Sequence, residues 1–391
     1  MTKIGIVVIG YNRKDSIQRL LNRLNVCFYE NKEVPLVISL DNCGTDEVQK
    51  CAESFEWKFG QKIIRTYKKR LGLKNHILKC GDFINEFNWD AAVVFEDDVY
   101  PSIGFYNFAS QAVEYYAHDE RIAGISLYSH QWNIHKDLPF QAFSNGKSEV
   151  YFLQVAQSWG QVWMKKQWNS FSEWYQTHEE FNPSSDVPST YSSWPKSSWL
   201  KYHNQYCVEN GKYFVYPYQG LSTCFSDAGE HAAFSSSVFQ TTMEECKDRT
   251  YRFDDLEAGI VYDAFFESIN IKSMLERKMQ DSVTVDLYGE KTKLDSRYIL
   301  TTKSLPYIVV ESYGLDLRPM ECNVINTIKG SAIKLYDTNQ SAPVIKNDTQ
   351  LMLWLYMQKQ IPDWGIIANL IKFKMNYKFG LIKKKFKRKK K

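Results

Sequence analysis

The sequence lacks any apolar stretch approaching the roughly 18 residues that a membrane-spanning helix needs. Its N-terminal apolar run, Ile4–Ile9, is too short for the core of a secretory signal, and no small-residue cleavage site follows it. The eight cysteines form no CxxC pair and have no regular spacing. These absences predict reduced thiols in a cytosolic protein and argue against a zinc site.

Acidic residues are missing from the C-terminal segment Trp364–Lys391, which carries eleven Lys or Arg. The net charge of the 391-residue chain is +4, so the first 363 residues carry −7 once the +11 of this segment is subtracted. A mildly acidic body argues against a nucleic-acid-binding core, and we expect no nucleic-acid partner. A hydrophobic content of 44% also excludes disorder over most of the length.

The first hundred residues alternate short apolar runs with helix-like patterns. Leucine and isoleucine recur at helical spacing after Asp15 or Ser16, either of which could cap the helix. This alternation predicts an α/β fold with a doubly wound, mostly parallel sheet. The runs read as strands are Ile4–Ile9, Val34–Leu40, Ile63-Ile64 and Ala91–Phe95.

Polar clusters follow three of these runs, at Tyr11–Arg13, Asp41–Asn42 and Glu96–Asp98. Ligands of such sheets bind beyond the carboxyl ends of the strands, so we expect the clusters to meet at one edge.

The run of acids at Glu96–Asp98 is costly at the end of a buried strand unless a cation balances it, which favours Mg²⁺ or Mn²⁺ over a solvated acidic turn. Arg13 suits a phosphate, although a solvated loop arginine is as good an interpretation by itself. Asp41 suits a base or ribose, with an Asx-turn as the alternative.

Three stretches together resemble GT-A-fold glycosyltransferases, in particular the N-acetylglucosaminyltransferase I family and bacterial surface-polysaccharide enzymes. They are Ile6–Arg13, Ser39–Gly44 and Ala91–Val99, and the acidic triplet in its context is the most specific part. The resemblance covers residues 4–135 well and residues 150–235 more loosely. It implies a Rossmann-like GT-A fold and a UDP-sugar donor.

The resemblance also implies a role for each matching residue. Asp98 would coordinate Mn²⁺ (or Mg²⁺) at the diphosphate, and Asp97 would face the ribose or the donor sugar. Asp41 would contact the uridine, Arg13 the diphosphate or base, and His76 the nucleotide. The full set of nucleotide-sugar-binding candidates is Tyr11, Asn12, Arg13, Asp41, His76, Glu96 and Asp97.

An inverting transferase also needs a carboxylate that removes the proton of the acceptor hydroxyl. In the resembled family this is an Asp near a Trp, but the matching stretch here, Trp194–Trp199, has serines. The turn Phe225–His231 is the best replacement, with Asp227 as the first candidate base and Glu230 as the second. His231 is a candidate metal or diphosphate ligand, and a plain polar surface turn is the alternative.

Seven of the eleven tryptophans lie between Trp132 and Trp199. Most of them are expected in the core, although some could stack on sugar faces. Trp159 and Trp163 share a helical spacing. The candidates for stacking are Trp159, Trp163, Trp194 and Trp199.

The C-terminal segment carries an apolar stripe at helical spacing with lysines between its members. This pattern predicts a basic amphipathic helix on an anionic membrane surface. A strand, a nucleic-acid tail and a disordered solubilising end are the alternatives. The stripe consists of Ile367, Ile371, Met375, Phe379, Ile382 and Phe386.

The predicted organisation has a nucleotide-sugar half (1–125), an acceptor half (126–310), a C-terminal extension (311–363) and a membrane-association tail (364–391). The predicted function is a metal-dependent, inverting glycosyltransferase of bacterial polysaccharide biosynthesis. Its acceptor would be a glycan or a lipid-linked oligosaccharide, and the enzyme would be peripheral on the inner face of the cell membrane. A sugar nucleotidyltransferase and a non-enzymatic membrane-surface protein are the alternatives. Nucleotidyltransferases commonly have a glycine-rich N-terminal loop, however, and Gly10–Arg13 is not glycine-rich.

Overall fold

The computed structural model describes residues 2–30, 33–228, 236–346, 348–358 and 362–388. Its strands, in chain order, are β1 (Ile4–Gly10), β2 (Leu36–Leu40), β3 (Lys62–Thr66), β4 (Ala91–Glu96), β5 (Val99–Pro101), β6 (Ile122–Ser126), β7 (Trp132–Asn133), β8 (Leu138–Pro139), β9 (Val150–Leu153), β10 (Gln161–Met164), β11 (Tyr213–Pro217), β12 (Ser222–Cys224), β13 (Val261–Tyr262), β14 (Val283–Asp286), β15 (Tyr298–Thr301), β16 (Tyr307–Tyr313) and β17 (Ile333–Ser341).

The helices alternate with the strands in the first half of the chain. They are α1 (Lys14–Leu24), α2 (Glu47–Ser54), α3 (Leu73–Gly81), α4 (Phe83–Glu86), α5 (Phe105–Tyr116), α6 (Lys165–Gln176), α7 (Leu200–Glu209), α8 (Arg277–Gln280), α9 (Glu321–Ile325), α10 (Thr349–Met357) and α11 (Trp364–Arg388). Two 3₁₀ turns lie at Ser189–Ser193 and Asn270–Met274.

The central sheet has the strand order β13-β9-β11-β6-β10-β4-β1-β2-β3. Strands β1 to β4 pair in parallel, and β10 lies antiparallel between β4 and β6. Consequently β6 and its parallel neighbour β11 run in the same direction as β1. The predicted α/β fold with a large, mostly parallel sheet is therefore confirmed.

Helices cover both faces of this sheet, which is why its central strands are apolar on both sides. Every residue of β1 is buried. Ile6 and Val8 face the core that contains α1, α2 and α5, whereas Val7 and Ile9 face the core that contains α3, α4 and α6.

The N-cap of helix α1 lies two residues before Asp15, the nearer of its two predicted caps. Its first residue is Lys14, and the N-cap position is Arg13, which makes no side-chain cap. The prediction that Asp15 or Ser16 caps this helix is wrong. The side chain of Ser16 instead donates a hydrogen bond to a distant carboxylate, that of Asp227, at 2.7 Å.

Trp163 lies in strand β10 and is fully buried. The helical spacing between Trp159 and Trp163 therefore does not correspond to a helix. Trp199 is also a core residue, and its ring packs edge-on against that of Trp163 with 5.7 Å between ring centroids. Trp159, in contrast, is only half-buried and lies in the loop before β10.

A second sheet, with the order β14-β15-β17-β16, forms between residues 283 and 341. Its apolar face belongs to the same core as α3 and α6, through side chains such as Leu300 and Leu335. The predicted boundary at residue 311 falls inside β16, and that at residue 126 falls inside β6. The extension is thus packed onto the body by a shared core.

The basic tail is the helix α11, so the alternative prediction of a strand is wrong. Its exposed apolar side chains are not confined to the predicted stripe. Leu370 and Phe373, which lie outside the stripe, are as exposed as the stripe members Ile371 and Met375. The predicted stripe members Ile382 and Phe386 belong to the helix, but their side chains lie outside the described part. Among the described helices, none has the length and apolarity to cross a membrane.

Candidate functional site

The candidate site is a cavity of about 300 Å³ beyond the carboxyl ends of β1, β2 and β4. The structure brings most of the predicted residues together on its wall. Those in the described part are Tyr11, Asn12, Arg13, Asp41, His76, Glu96, Asp97, Asp98 and Asp227. The polar clusters meet there because parallel strands end at one edge of the sheet.

Arg13 is the counter-ion of the acidic triplet. Its guanidinium donates one hydrogen bond to Asp97 and another, of 2.9 Å, to Asp98. Both carboxylates are buried, so their charges are poorly screened by water. Burial by itself would lower the pKa of Arg13, but the two carboxylates raise it, and the side chain stays charged.

Glu96 is the first residue of the triplet and also lines the cavity. Burial, reinforced by the negative charge of Asp98, raises its pKa to about 8. Burial also raises the pKa of Asp97, to about 6, although Arg13 opposes the rise. At neutral pH the raised pKa therefore favours protonated Glu96, while Arg13 faces Asp97 and Asp98.

Asp41 fixes the loop that follows β3. Its carboxylate accepts hydrogen bonds from the backbone N–H groups of Leu71 at 2.8 Å and Gly72 at 2.9 Å. This loop carries Arg70, which lines the cavity with its guanidinium 4.9 Å from the centre of the Tyr11 ring. Sequence reasoning missed Arg70, because no local pattern distinguishes it from the neighbouring basic residues Lys68 and Lys69.

His76 lies at the start of α3 with its imidazole against the end of β2. Its Nε2 is 2.8 Å from the hydroxyl of Ser39, which is also 3.2 Å from the hydroxyl of Tyr67. Burial lowers the pKa of His76 to about 4, despite the opposing charge of Asp41. The ring is therefore neutral at physiological pH, and its Nε2 forms a hydrogen bond with the Ser39 hydroxyl.

Asp227 lies opposite the triplet, after strand β12. Its Oδ2 accepts hydrogen bonds from Arg19 and from Ser16, and its backbone carbonyl accepts one from Arg13 at 3.2 Å. Partial burial tends to raise the pKa of Asp227, but these hydrogen bonds and the charge of Arg19 lower it. The carboxylate is thus ionised, and it ties the loop after β12 to α1. The predicted residues Glu230 and His231 lie outside the described residues.

Aromatic rings cover one side of the cavity. The Trp159 ring packs against Phe239 with 4.4 Å between ring centroids, and both line the cavity with Leu73. Of the four tryptophans considered for sugar stacking, Trp159 is the one on this wall. Ser226, from the turn singled out in the sequence, also lines it, whereas Phe239 and Cys224 carry no signal in the sequence that would have indicated a site.

The carboxylates of the site fit a divalent cation whose other ligands come from a bound diphosphate. Among the described residues, no group of three or more His, Cys, Asp or Glu side chains is arranged to hold a metal ion. Asp98, however, uses Oδ2 toward Arg13, and Mg²⁺-type cations are commonly held by one or two carboxylates plus phosphate oxygens. The site therefore fits a cation that arrives with a diphosphate, not a cage built from protein alone.

Comparisons with known proteins identify partial structural matches. No protein-family model matches the chain, and no curated protein matches it. S. aureus TarS 1-349 in complex with UDP-GlcNAc matches at 12% identity and a TM-score of 0.39, over 59% of this chain and 60% of that one. The mannosyltransferase PcManGT from Pyrobaculum calidifontis, in complex with GDP-Man and Mn²⁺, matches at 11% identity and a TM-score of 0.36, over 55% of this chain and 54% of that one. The matches thus span less than two thirds of these proteins.

The buried, neutral His76 generates a pH-dependence of stability. Because its pKa is about 4 in the folded protein and 6.5 in the unfolded chain, stability is lost as pH falls from 6.5 toward 4. We expect His76→Gln to make the free energy of unfolding depend less steeply on pH between 6.5 and 4, by up to about 1.4 kcal/mol per pH unit. Urea denaturation at a series of pH values measures this slope.

His118→Gln provides the matched control, because it makes the same substitution at an exposed histidine that does not line the cavity. Equal slopes for His76→Gln and the natural protein would contradict a neutral, buried His76.

Proposed function

We propose that this protein is a metal-dependent glycosyltransferase of the GT-A type that uses a UDP-sugar. The observation that carries the proposal is the pairing of Arg13 with Asp97 and Asp98 on the wall of a cavity at the carboxyl edge of the sheet. A diphosphate placed there would find a guanidinium for its oxygens and carboxylates for its cation. The mixed charges of the wall suit this ligand better than either a cation or an anion alone.

The donor would occupy the cavity along the strand ends. Arg70, Tyr11 and the loop fixed by Asp41 would hold the base, and the neutral His76 would lie against the nucleotide. Asn12 and Arg13 would contact the diphosphate, and Asp97 would face the ribose or the donor sugar. Trp159 and Phe239 supply the apolar surface on which a sugar ring can pack.

Asp98 would hold the Mn²⁺ (or Mg²⁺). The bound cation supplies Lewis-acid stabilisation of the charge that develops on the leaving diphosphate.

Transfer with inversion requires a base on the acceptor side, and Asp227 is our first choice. Its Oδ2 is taken up by Ser16 and Arg19, whereas no described donor uses its Oδ1. In this mechanism the acceptor hydroxyl gives its proton to Asp227, and the hydroxyl oxygen forms a bond to the anomeric carbon of the donor sugar. The bond from that carbon to the diphosphate oxygen breaks with its electron pair, and UDP leaves. Glu230 is the second candidate for the base.

The tail would place the enzyme beside its acceptor. Helix α11 exposes apolar side chains along its described length, including Trp364 at 83% exposure, and bears the basic cluster of the chain. Exposed apolar and basic residues on one helix favour binding to an anionic bilayer surface. We propose a peripheral location on the inner face of the cell membrane, with a lipid-linked oligosaccharide or another glycan of bacterial surface polysaccharide synthesis as acceptor.

The donor site predicts a specific ligand response. We expect UDP and UDP-sugars to raise the melting temperature in the presence of Mn²⁺, more than GDP- or CMP-sugars do, because ligands that bind only the folded state stabilise it. Asp98→Asn should abolish the Mn²⁺-dependent part of the shift and the release of UDP. Thermal-shift assays and a UDP-release assay measure these effects.

Asp90→Asn is the control for this prediction, since Asp90 precedes the same strand but lies at its opposite end. A full Mn²⁺-dependent shift in Asp98→Asn would contradict the metal role. Turnover of a nucleoside triphosphate and a sugar phosphate, with release of pyrophosphate, would instead identify a nucleotidyltransferase.

Asp227→Asn should lower the rate of transfer by a factor of about 100 or more, because loss of a general base typically costs that much. UDP affinity should change little in comparison. Steady-state kinetics with a purified acceptor and UDP titration separate the two effects. Asp15→Asn, an exposed change on the neighbouring helix, serves as control, and an unchanged rate in Asp227→Asn would assign the base elsewhere.

Removal of residues 364–391 should release the protein from anionic vesicles and leave UDP binding intact. The double change Ile371→Asp and Phe373→Asp, which keeps every lysine, should also weaken binding if apolar side chains enter the bilayer surface. Vesicle co-sedimentation with anionic and zwitterionic lipids measures both. Vesicle binding that persists after the deletion would refute the role of the tail.

A further inference from the structure

A second cavity, of about 800 Å³, lies at the same edge of the central sheet. Its wall includes Ser129 and His130, which follow β6, and Tyr218, which follows β11. It also includes Glu149, which precedes the antiparallel strand β9. Since β6 and β11 run in the direction of β1, this cavity and the donor cavity open along one edge.

A thin layer of side chains separates the two cavities. Trp159, on the donor side, packs edge-on against Tyr128 with 4.9 Å between ring centroids. Gln157 accepts a hydrogen bond from the backbone of Trp159 at 3.2 Å, and its amide nitrogen lies 3.2 Å from Nε2 of His130 in the second cavity. The side chain of Thr241 donates to the carbonyl of Ser129 at 3.1 Å. A molecule in one cavity is therefore one side-chain layer from the other.

The lining of the second cavity combines aromatic faces with hydrogen-bonding groups. Five tyrosines contribute to it, together with three glutamines and three arginines. The Tyr151 hydroxyl is buried on this wall, close to the Ser129 side chain and the His130 backbone, but it makes no hydrogen bond of good geometry among the described residues. Buried polar atoms without a partner are uncommon in proteins, and a ligand hydroxyl would satisfy this one.

The C-terminal extension contributes Arg318 and Tyr356 to the wall of this cavity, and Tyr288 of the preceding segment also lines it. The extension is attached to the body by a buried hydrogen bond from the Tyr262 hydroxyl to Glu321. Arg318 donates a hydrogen bond to the backbone carbonyl of Tyr356, and its guanidinium lies 5.2 Å from the centre of the Tyr356 ring.

We infer that this second cavity binds the sugar chain of the acceptor, at units beyond the one that receives the new sugar. The inference rests on the proposed transferase function and extends it to a class of acceptor. Tyrosine faces suit the C–H faces of pyranose rings, and amide and guanidinium groups suit their hydroxyls. The cavity has more than twice the volume of the donor cavity, which fits several linked sugars better than one. The extension therefore selects an oligosaccharide acceptor over a monosaccharide.

The test uses the full chain on a printed array of bacterial surface oligosaccharides, followed by calorimetric titration with the oligosaccharide that binds best. We expect Tyr151→Phe to weaken binding about 5-fold, by loss of one hydrogen bond, and Arg318→Ala about 10-fold. Tyr115→Phe and Arg277→Ala, which are exposed changes outside both cavities, should bind as the natural protein does. The matching monosaccharide should bind much more weakly than the chain.

The outcomes separate this inference from the donor proposal. No binding on the array, or equal affinity in Tyr151→Phe, Arg318→Ala and the natural protein, would overturn the inference even if UDP with Mn²⁺ binds normally. Loss of the UDP response with intact oligosaccharide binding would instead refute the proposed donor site, and with it the assignment of the bound chain as an acceptor.

Discussion

The acidic triplet at the end of β4 is the constraint on which the site depends. A strand buried on both faces delivers three carboxyl groups to one point, where burial raises the pKa values of Glu96 and Asp97. Arg13 offsets the charge that remains, and its position explains much of the surrounding structure. The same guanidinium reaches the carbonyl of Asp227, so the loop after β12, helix α1 and the strand ends form one hydrogen-bonded unit.

This arrangement makes Arg13 a competitor for any cation that approaches Asp98. If a divalent ion arrived with a diphosphate, Arg13 would be able to contact the phosphate and Asp98 would be able to hold the metal. Neither the metal nor the diphosphate alone would offer both partners. In the proposed function, the cation and the donor would therefore bind together.

The larger cavity depends on a different interaction, the shared core that joins the extension to the body. Leu300 and Leu335 of the second sheet belong to the same apolar cluster as Val94 of β4. Because this core holds the extension against the sheet edge, the wall with Arg318 and Tyr356 stays in register with the wall that follows β6 and β11. Donor and acceptor sides would thus be built on one sheet but closed by different parts of the chain.

The sequence by itself determined the α/β sheet and the convergence of Arg13, Asp41 and the acidic triplet, and it favoured a helix for the tail without excluding a strand, because periodicity and strand ends are local properties. Only the tertiary structure decided that Asp41 fixes the loop of Arg70, that Asp227 binds Arg19, and that the extension closes a second cavity. Each of those contacts joins residues far apart in the chain or on separate elements. Their side chains meet through packing, which no spacing along the sequence encodes.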